Sequence, residues 1–219
     1  MKVLSQRLIW TLGILMVVAT ALPALANGRV YQVTVTNLTA GQIFAPPIVY
    51  SHRSNFAAFT PGQAASPELA GVAEDADSEP MLALLAAEPA VGDVAIAEGV
   101  VMPGESTTVR IQLRGNARNI TALGMLVTTN DAFFAAGKRA PNSGISFYAP
   151  AWDAGSEANT QDCAHIPGPP CNNGGVRVQD GAEGYVFVHA GIQDRGSLNS
   201  QEHDWRNPVA LIEIRRAGH

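Results

Sequence analysis

Val109, Ile111 and Leu113 stand at every second position of the stretch from Thr107 to Leu113, and only an extended strand puts all three on one face. The segment Tyr31-Gln32-Val33-Thr34-Val35-Thr36-Asn37 repeats the pattern in aromatic and β-branched residues and stops at a turn former. Ala122 to Thr128 is a compact apolar run, and Tyr185 to His189 and Val209 to Ile214 are also strand-like. The stretch from 129 to 183 is rich in Gly, Pro, Asn and Asp and holds one convincing strand, around Ile145 to Tyr148. Strands joined by long loops, with no internal repeat, predict a mainly β protein: an antiparallel β-sandwich with loops gathered at its ends. Long irregular loops of this kind usually carry function.

Between residues 63 and 98 the composition shifts to Ala, Leu, Glu and Pro. Ser66-Pro67 and Ser78-Glu79-Pro80 have the form of helix starts, with a hydroxyl to cap and a proline tolerated in the first turn. One or two short helices inserted between strands are therefore expected.

The first residues follow a different logic. Lys2 and Arg7 precede an apolar run from Leu8 to Val18, and Ala24-Leu25-Ala26 offers small side chains to a signal peptidase. The run is shorter than the roughly 20 residues that span a bilayer, and Pro23 breaks it. Residues 1–26 are expected to be a cleaved signal peptide, leaving 27–219 as one domain in the periplasm or outside the cell, with no membrane span. Without Lys2 and Arg7, 12 of the 14 basic side chains remain against 19 acidic ones. That balance, with no basic cluster, argues against nucleic acid or an anionic membrane as partner.

Cys163 and Cys171 are the two cysteines, and they flank His165-Ile166-Pro167-Gly168-Pro169-Pro170. In an oxidising compartment they are expected to form a disulfide that staples this loop. Their spacing is not that of a redox-active CxxC pair.

Two acidic motifs follow strands: Thr128-Thr129-Asn130-Asp131-Ala132-Phe133-Phe134 and Ala151-Trp152-Asp153-Ala154-Gly155-Ser156-Glu157. If the loops meet at one end of a sandwich, Asp131, Asp153 and Glu157 face a common point. Clustered carboxylates repel one another unless a cation sits among them, and oxygen-only ligation favours a hard ion such as Ca²⁺. The plain alternative is that these acids cap turns and face solvent. Trp152, Phe133 and Phe134 flank the motifs. They either anchor the loops to the core or, for Trp152 and Phe133, offer an exposed aromatic platform to a sugar or protein ligand.

Seven motifs in order resemble those of the spondin domain, the domain found in F-spondin and mindin. They are Tyr31-x-Val33-x-Val35-x-Asn37-Leu38-Thr39, Gln42-Ile43-Phe44-Ala45-Pro46-Pro47 with His52, Ala73-Glu74-Asp75, Pro103-Gly104-Glu105, Thr129-Asn130-Asp131-Ala132-Phe133, Asp153-Ala154-Gly155-Ser156-Glu157 with Asn159, and Asp204-Trp205-Arg206-Asn207-Pro208-Val209-Ala210. The resemblance implies a C2-like β-sandwich that holds one calcium ion through Asp131, Asp153 and Glu157. This chain departs from the animal proteins in carrying Glu at the third position and a shorter connection between the first two ligands.

His52, His165, His189 and His203 lack the close spacing of zinc ligands, and His189 reads as a core or edge residue of a strand. No GxSxG motif, P-loop or dinucleotide fingerprint is present. Trp205 is expected to fill a sheet end, with Arg206 paired to a nearby carboxylate. The expected function is thus an exported, non-catalytic, calcium-binding module for adhesion or recognition of a surface glycan or extracellular protein. A secreted metal-dependent hydrolase using the same carboxylates is the alternative.

Overall fold

The structure is a computed structural model that describes residues 28–218. The expected signal peptide at 1–26 lies outside the described residues. Tyr31, Val33 and Val35 of β1 (Val30–Asn37) all point inward, as do Val109 and Ile111 of β4 (Ser106–Gln112) and Ala210, Ile212 and Ile214 of β10 (Ala210–Arg216). With β7 (Gly144–Ala149) these strands form a four-stranded sheet in the order β4-β1-β10-β7. Every pair is antiparallel, and Val33 lies opposite Ile214 on one side and Val109 on the other. The outward face is polar, with hydroxyl pairs Thr34 to Thr108 and Thr36 to Ser106 at 2.9 and 2.8 Å.

The second sheet has six strands in the order β3-β2-β5-β6-β8-β9. These are β2 (Ile48–His52), β3 (Val91–Ile96), β5 (Asn119–Met125), β6 (Ala132–Arg139), β8 (Ala151–Asp153) and β9 (Phe187–Val188). Its inner face meets the first sheet through Val49, Ile120, Ala122 and Phe134, which makes the antiparallel β-sandwich expected from the alternation. Its outer face is covered as well, by α1 (Pro67–Asp75) and α2 (Glu79–Ala87), over a second core of Ile48, Tyr50, Leu69, Leu85, Leu123 and Phe133. This explains why β2 is buried at all five positions and why β5 reads as a continuous apolar run instead of an alternation.

Both helix starts fall where the Ser-Pro signals place them. Ser66 caps α1 by accepting from Leu69 N at 3.2 Å, whereas the Ser78 hydroxyl makes no such cap and turns back to Ala76 O at 3.4 Å. A short helix α3 (Ser200–His203) leads into the last strand. Trp205 is buried at that sheet end, and Arg206 pairs with Asp204. Cys163 and Cys171 are bonded as a disulfide beside a 3₁₀ turn at Cys163–His165. Among the described residues no helix is long and apolar enough to cross a membrane.

Two local expectations differ from the structure. Phe133 and Phe134 lie in a full strand, β6, in a region read as loop apart from one strand near Ile145. The reason is compositional: Ala135, Ala136 and Gly137 have little strand propensity of their own, and β6 is set by pairing with β5. Gly137 is needed there, because a Cβ would fall 2.0 Å from Thr121 Oγ1 on the neighbouring strand. Conversely, Tyr185 to His189 shrinks to the two-residue β9: Phe187 and Val188 pair with β8, and Val186 N donates instead to Gln63 O in the loop.

Candidate functional site

The loop from β5 to β6 is held by its own side chains before it presents Asp131. The Thr129 hydroxyl donates to Leu126 O at 2.6 Å and accepts from Ala132 N at 3.0 Å. Asn130 Oδ1 accepts from Gln161 N at 3.0 Å, and Ala154 N donates to Asp131 O at 3.1 Å. Thr128 through Asp131 are all buried. Asp131 thus sits at the sheet end with Oδ2 accepting from Ser156 N at 2.8 Å and Glu157 N at 3.0 Å, while its Oδ1 is buried without a hydrogen-bond partner.

The second loop starts at the last residue of β8. Asp153 Oδ1 accepts from Gly155 N at 2.8 Å, closing a tight turn in which Gly155 takes φ +65°. Only glycine fits: a Cβ would lie 2.2 Å from Tyr185 O. Asp153 Oδ2 accepts from Asn159 Nδ2 at 2.6 Å, and Glu157 Oε1 accepts from Val178 N at 2.7 Å. The two motifs are therefore stitched together at one end of the six-stranded sheet, and Asp131, Asp153 and Glu157 are 0, 0 and 1 % exposed. They do not face solvent as ordinary turn acids do.

Burial raises the affinity of all three for protons, since each charge loses its hydration. Repulsion adds to it: the charge of Asp131 pushes Asp153 up further, and Glu157 is pushed up to about 8 by burial, then by Glu74 and Asp131. Glu74, carried by α1 and 2 % exposed, is a fourth buried acid of this neighbourhood. It is neutralised by Arg177, whose Nε stands 2.7 Å from Glu74 Oε2 and whose Nη2 stands 2.9 Å from Asp75. The resemblance motif Ala73-Glu74-Asp75 was the only sequence signal for this pair, and nothing marked Arg177.

His189 lies 3.6 Å from Asp153 Oδ2 but does not form an ion pair with it. Its Nδ1 accepts from Gly191 N at 2.9 Å, which leaves the proton on Nε2 to be donated to Asn159 Oδ1 at 3.1 Å. Burial lowers its pKa to about 4, so the ring is neutral at pH 7. The histidine is a buried spacer that orients Asn159 against Asp153, in keeping with its reading as a core residue.

Among the described residues no set of three His, Cys, Asp or Glu side chains is arranged to hold a metal ion as it stands. The donor chemistry nonetheless suits a hard cation, being all oxygen, buried, short of compensating positive charge and with Asp131 Oδ1 unpartnered.

The aromatic neighbours sort unequally. Phe133 is fully buried, packed edge-on against Phe59 at 5.1 Å, so it is part of the second core and offers no platform. The alternation of β6 turns it under the helices, away from solvent. Trp152 is half-buried, stacks edge-on against Phe59 at 5.5 Å and donates from Nε1 to Ala135 O at 3.1 Å. Those contacts make it an anchor of β8 with one accessible edge. Compared with models of known protein families and with curated protein sequences, the chain matches none.

Proposed function

We propose that this protein is an exported, non-catalytic module of the spondin-like kind, in which Asp131, Asp153 and Glu157 take up Ca²⁺ at one end of the β-sandwich. The observation that carries the reading is the burial of three carboxylates that no guanidinium pairs with among the described residues, the Arg177 of this neighbourhood being committed to Glu74 and Asp75. Three buried anions in one neighbourhood need either protons or a cation, and at neutral pH a divalent ion is the better partner. Calcium tolerates irregular oxygen sites completed by carbonyls and water, and extracellular modules bind it at about 10⁻⁴ to 10⁻³ M. An oxidising, calcium-rich compartment would also suit the Cys163–Cys171 disulfide. The module's role would be adhesion or recognition of a surface glycan or extracellular protein. The test is calorimetric titration of chelator-stripped protein with CaCl₂. Binding heat and a raised melting temperature are expected, and the absence of both would remove the proposal. The hydrolase alternative has less support, since His189, the histidine beside Asp153, is buried and neutral.

A further inference from the structure

We propose that the outer face of the six-stranded sheet carries a second site, a groove between the 53–62 loop and β6 that binds a small planar apolar carboxylate. The groove has a volume of about 410 Å³. That is the size of an ordinary small-molecule site, and its makeup of aromatic walls with a few polar groups is also typical of one. Its floor and walls follow from register. Across β2, β5 and β6 the residues of this face form successive rows: Ile48, Leu123 and Ala135; then Tyr50, Thr121 and Gly137; then His52, Asn119 and Arg139. The middle row is hollow because Gly137 has no side chain and Thr121 is short. Any Cβ at 137 would drive into Thr121, whose hydroxyl is held by His52 Nε2 at 2.9 Å.

The 53–62 loop stands over this hollow as a fixed wall. It is tied at both ends, by Arg53 N to Ala90 O at 2.9 Å and Gly62 N to Val186 O at 2.7 Å. Phe56 stacks edge-on against Tyr50 and His52 at 6.0 and 5.9 Å, and Phe59 is braced by Phe133 and Trp152. One end of the groove is therefore apolar, bounded by Phe59 and Ala135, and the other ends on the row of Asn119 and Arg139.

Aromatic walls alone would also suit a quaternary ammonium ion. Charge decides against that occupant. On this face the groove carries Arg139 and no carboxylate, because Lys138, paired with Ile120, projects to the other face of β6; the chain as a whole has formal net charge −5. Arg139 makes no ion pair among the described residues. An apolar ring between Phe56 and Phe59 would carry its carboxylate to the Arg139 guanidinium, which can bind it in a bidentate fork beside the Asn119 amide. Asp131, Asp153 and Glu157 take no part in this site.

The test is a chemical-shift titration of the ¹⁵N-labelled protein with phenylacetate, phenylacetamide and phenyltrimethylammonium. Phenylacetate is expected to bind saturably, with shifts centred on the amides of Asn119, Thr121 and Gly137, and phenylacetamide several-fold more weakly. Arg139→Glu, at an exposed position, is expected to weaken phenylacetate at least tenfold while leaving the melting temperature in place. Arg139→Gln should fall between the two, and Phe56→Ala should weaken both uncharged and charged rings. Equal affinity for acid and amide, preference for the ammonium ion, indifference to Arg139→Glu, or no shifts at these amides would each overturn the proposal.

Discussion

Stripping the protein of divalent cations should make its stability depend on pH in a direction opposite to ordinary acid denaturation. Glu157 illustrates the magnitude. Its pKa is raised from 4.5 to about 8 in the folded chain, so between those values the native state holds a proton that the unfolded state has released. Stability is fully present below the unfolded value and is lost as pH rises through the folded one. Each pH unit of such a difference is worth about 1.4 kcal/mol, which gives about 4 kcal/mol between pH 5 and 8 as a ceiling and about 2 kcal/mol once relaxation and water entry are allowed for. For a domain of this size that is a fall of roughly 4 to 16 °C in melting temperature. Asp131 and Asp153 act in the same direction. Calcium at 10 mM, about 100 times a 10⁻⁴ M dissociation constant, should restore about 2.7 kcal/mol at pH 8 and far less at pH 5.5, where protons hold the site. The assay is differential scanning fluorimetry at both pH values, with EDTA and with CaCl₂. Glu157→Gln should flatten the dependence of the stripped protein. A melting temperature that stays level or rises from pH 5.5 to 8 under EDTA, or a calcium shift of equal size at both, would refute the electrostatic argument.

Three further outcomes are expected. Gly155→Ala should destabilise the chain by about 2 kcal/mol or more in urea unfolding, because the left-handed backbone and the carbonyl of Tyr185 both reject a Cβ. Replacing Cys163 and Cys171 by alanine should lower stability by about 2.5 kcal/mol, measured against the oxidised protein, since the closed loop is short. Phe133→Ala should lose about 3 to 5 kcal/mol of folding stability; Trp152→Ala, half-buried and held by one hydrogen bond, should lose less, and both losses should be seen in calcium-saturated protein.

The β-sandwich was legible because β1, β4 and β10 bury one face only, and a half-buried strand writes its alternation directly into the sequence. β5 showed only as a compact apolar run, because its second face lies under helices and the alternation is filled in. β6 was hidden for another reason: its Ala and Gly residues are chosen by the neighbouring strand and the groove above them, not by backbone preference. At the candidate site Asp131, Asp153 and Glu157 could be named from two local motifs, and the structure brings their loops to one sheet end. Glu74 and Arg177 meet that site from 103 residues apart in sequence, and no local pattern encodes so distant a pairing.

The pairing of β1 with β10 sets the order in which this chain can become stable. Tyr31 lies opposite Arg216, and Ala217 N still donates to Val30 O. The middle of the four-stranded sheet cannot close before β10 arrives: until then β1 has a partner, β4, on one side only. Topologies with such distant partners fold slowly, because a long loop must close before its contacts repay the lost chain entropy. Until β10 has been made, β1 therefore keeps one edge without its partner. Trimming β10 would leave the first strand unpaired on that side, giving an open edge prone to aggregation instead of a slightly shortened domain.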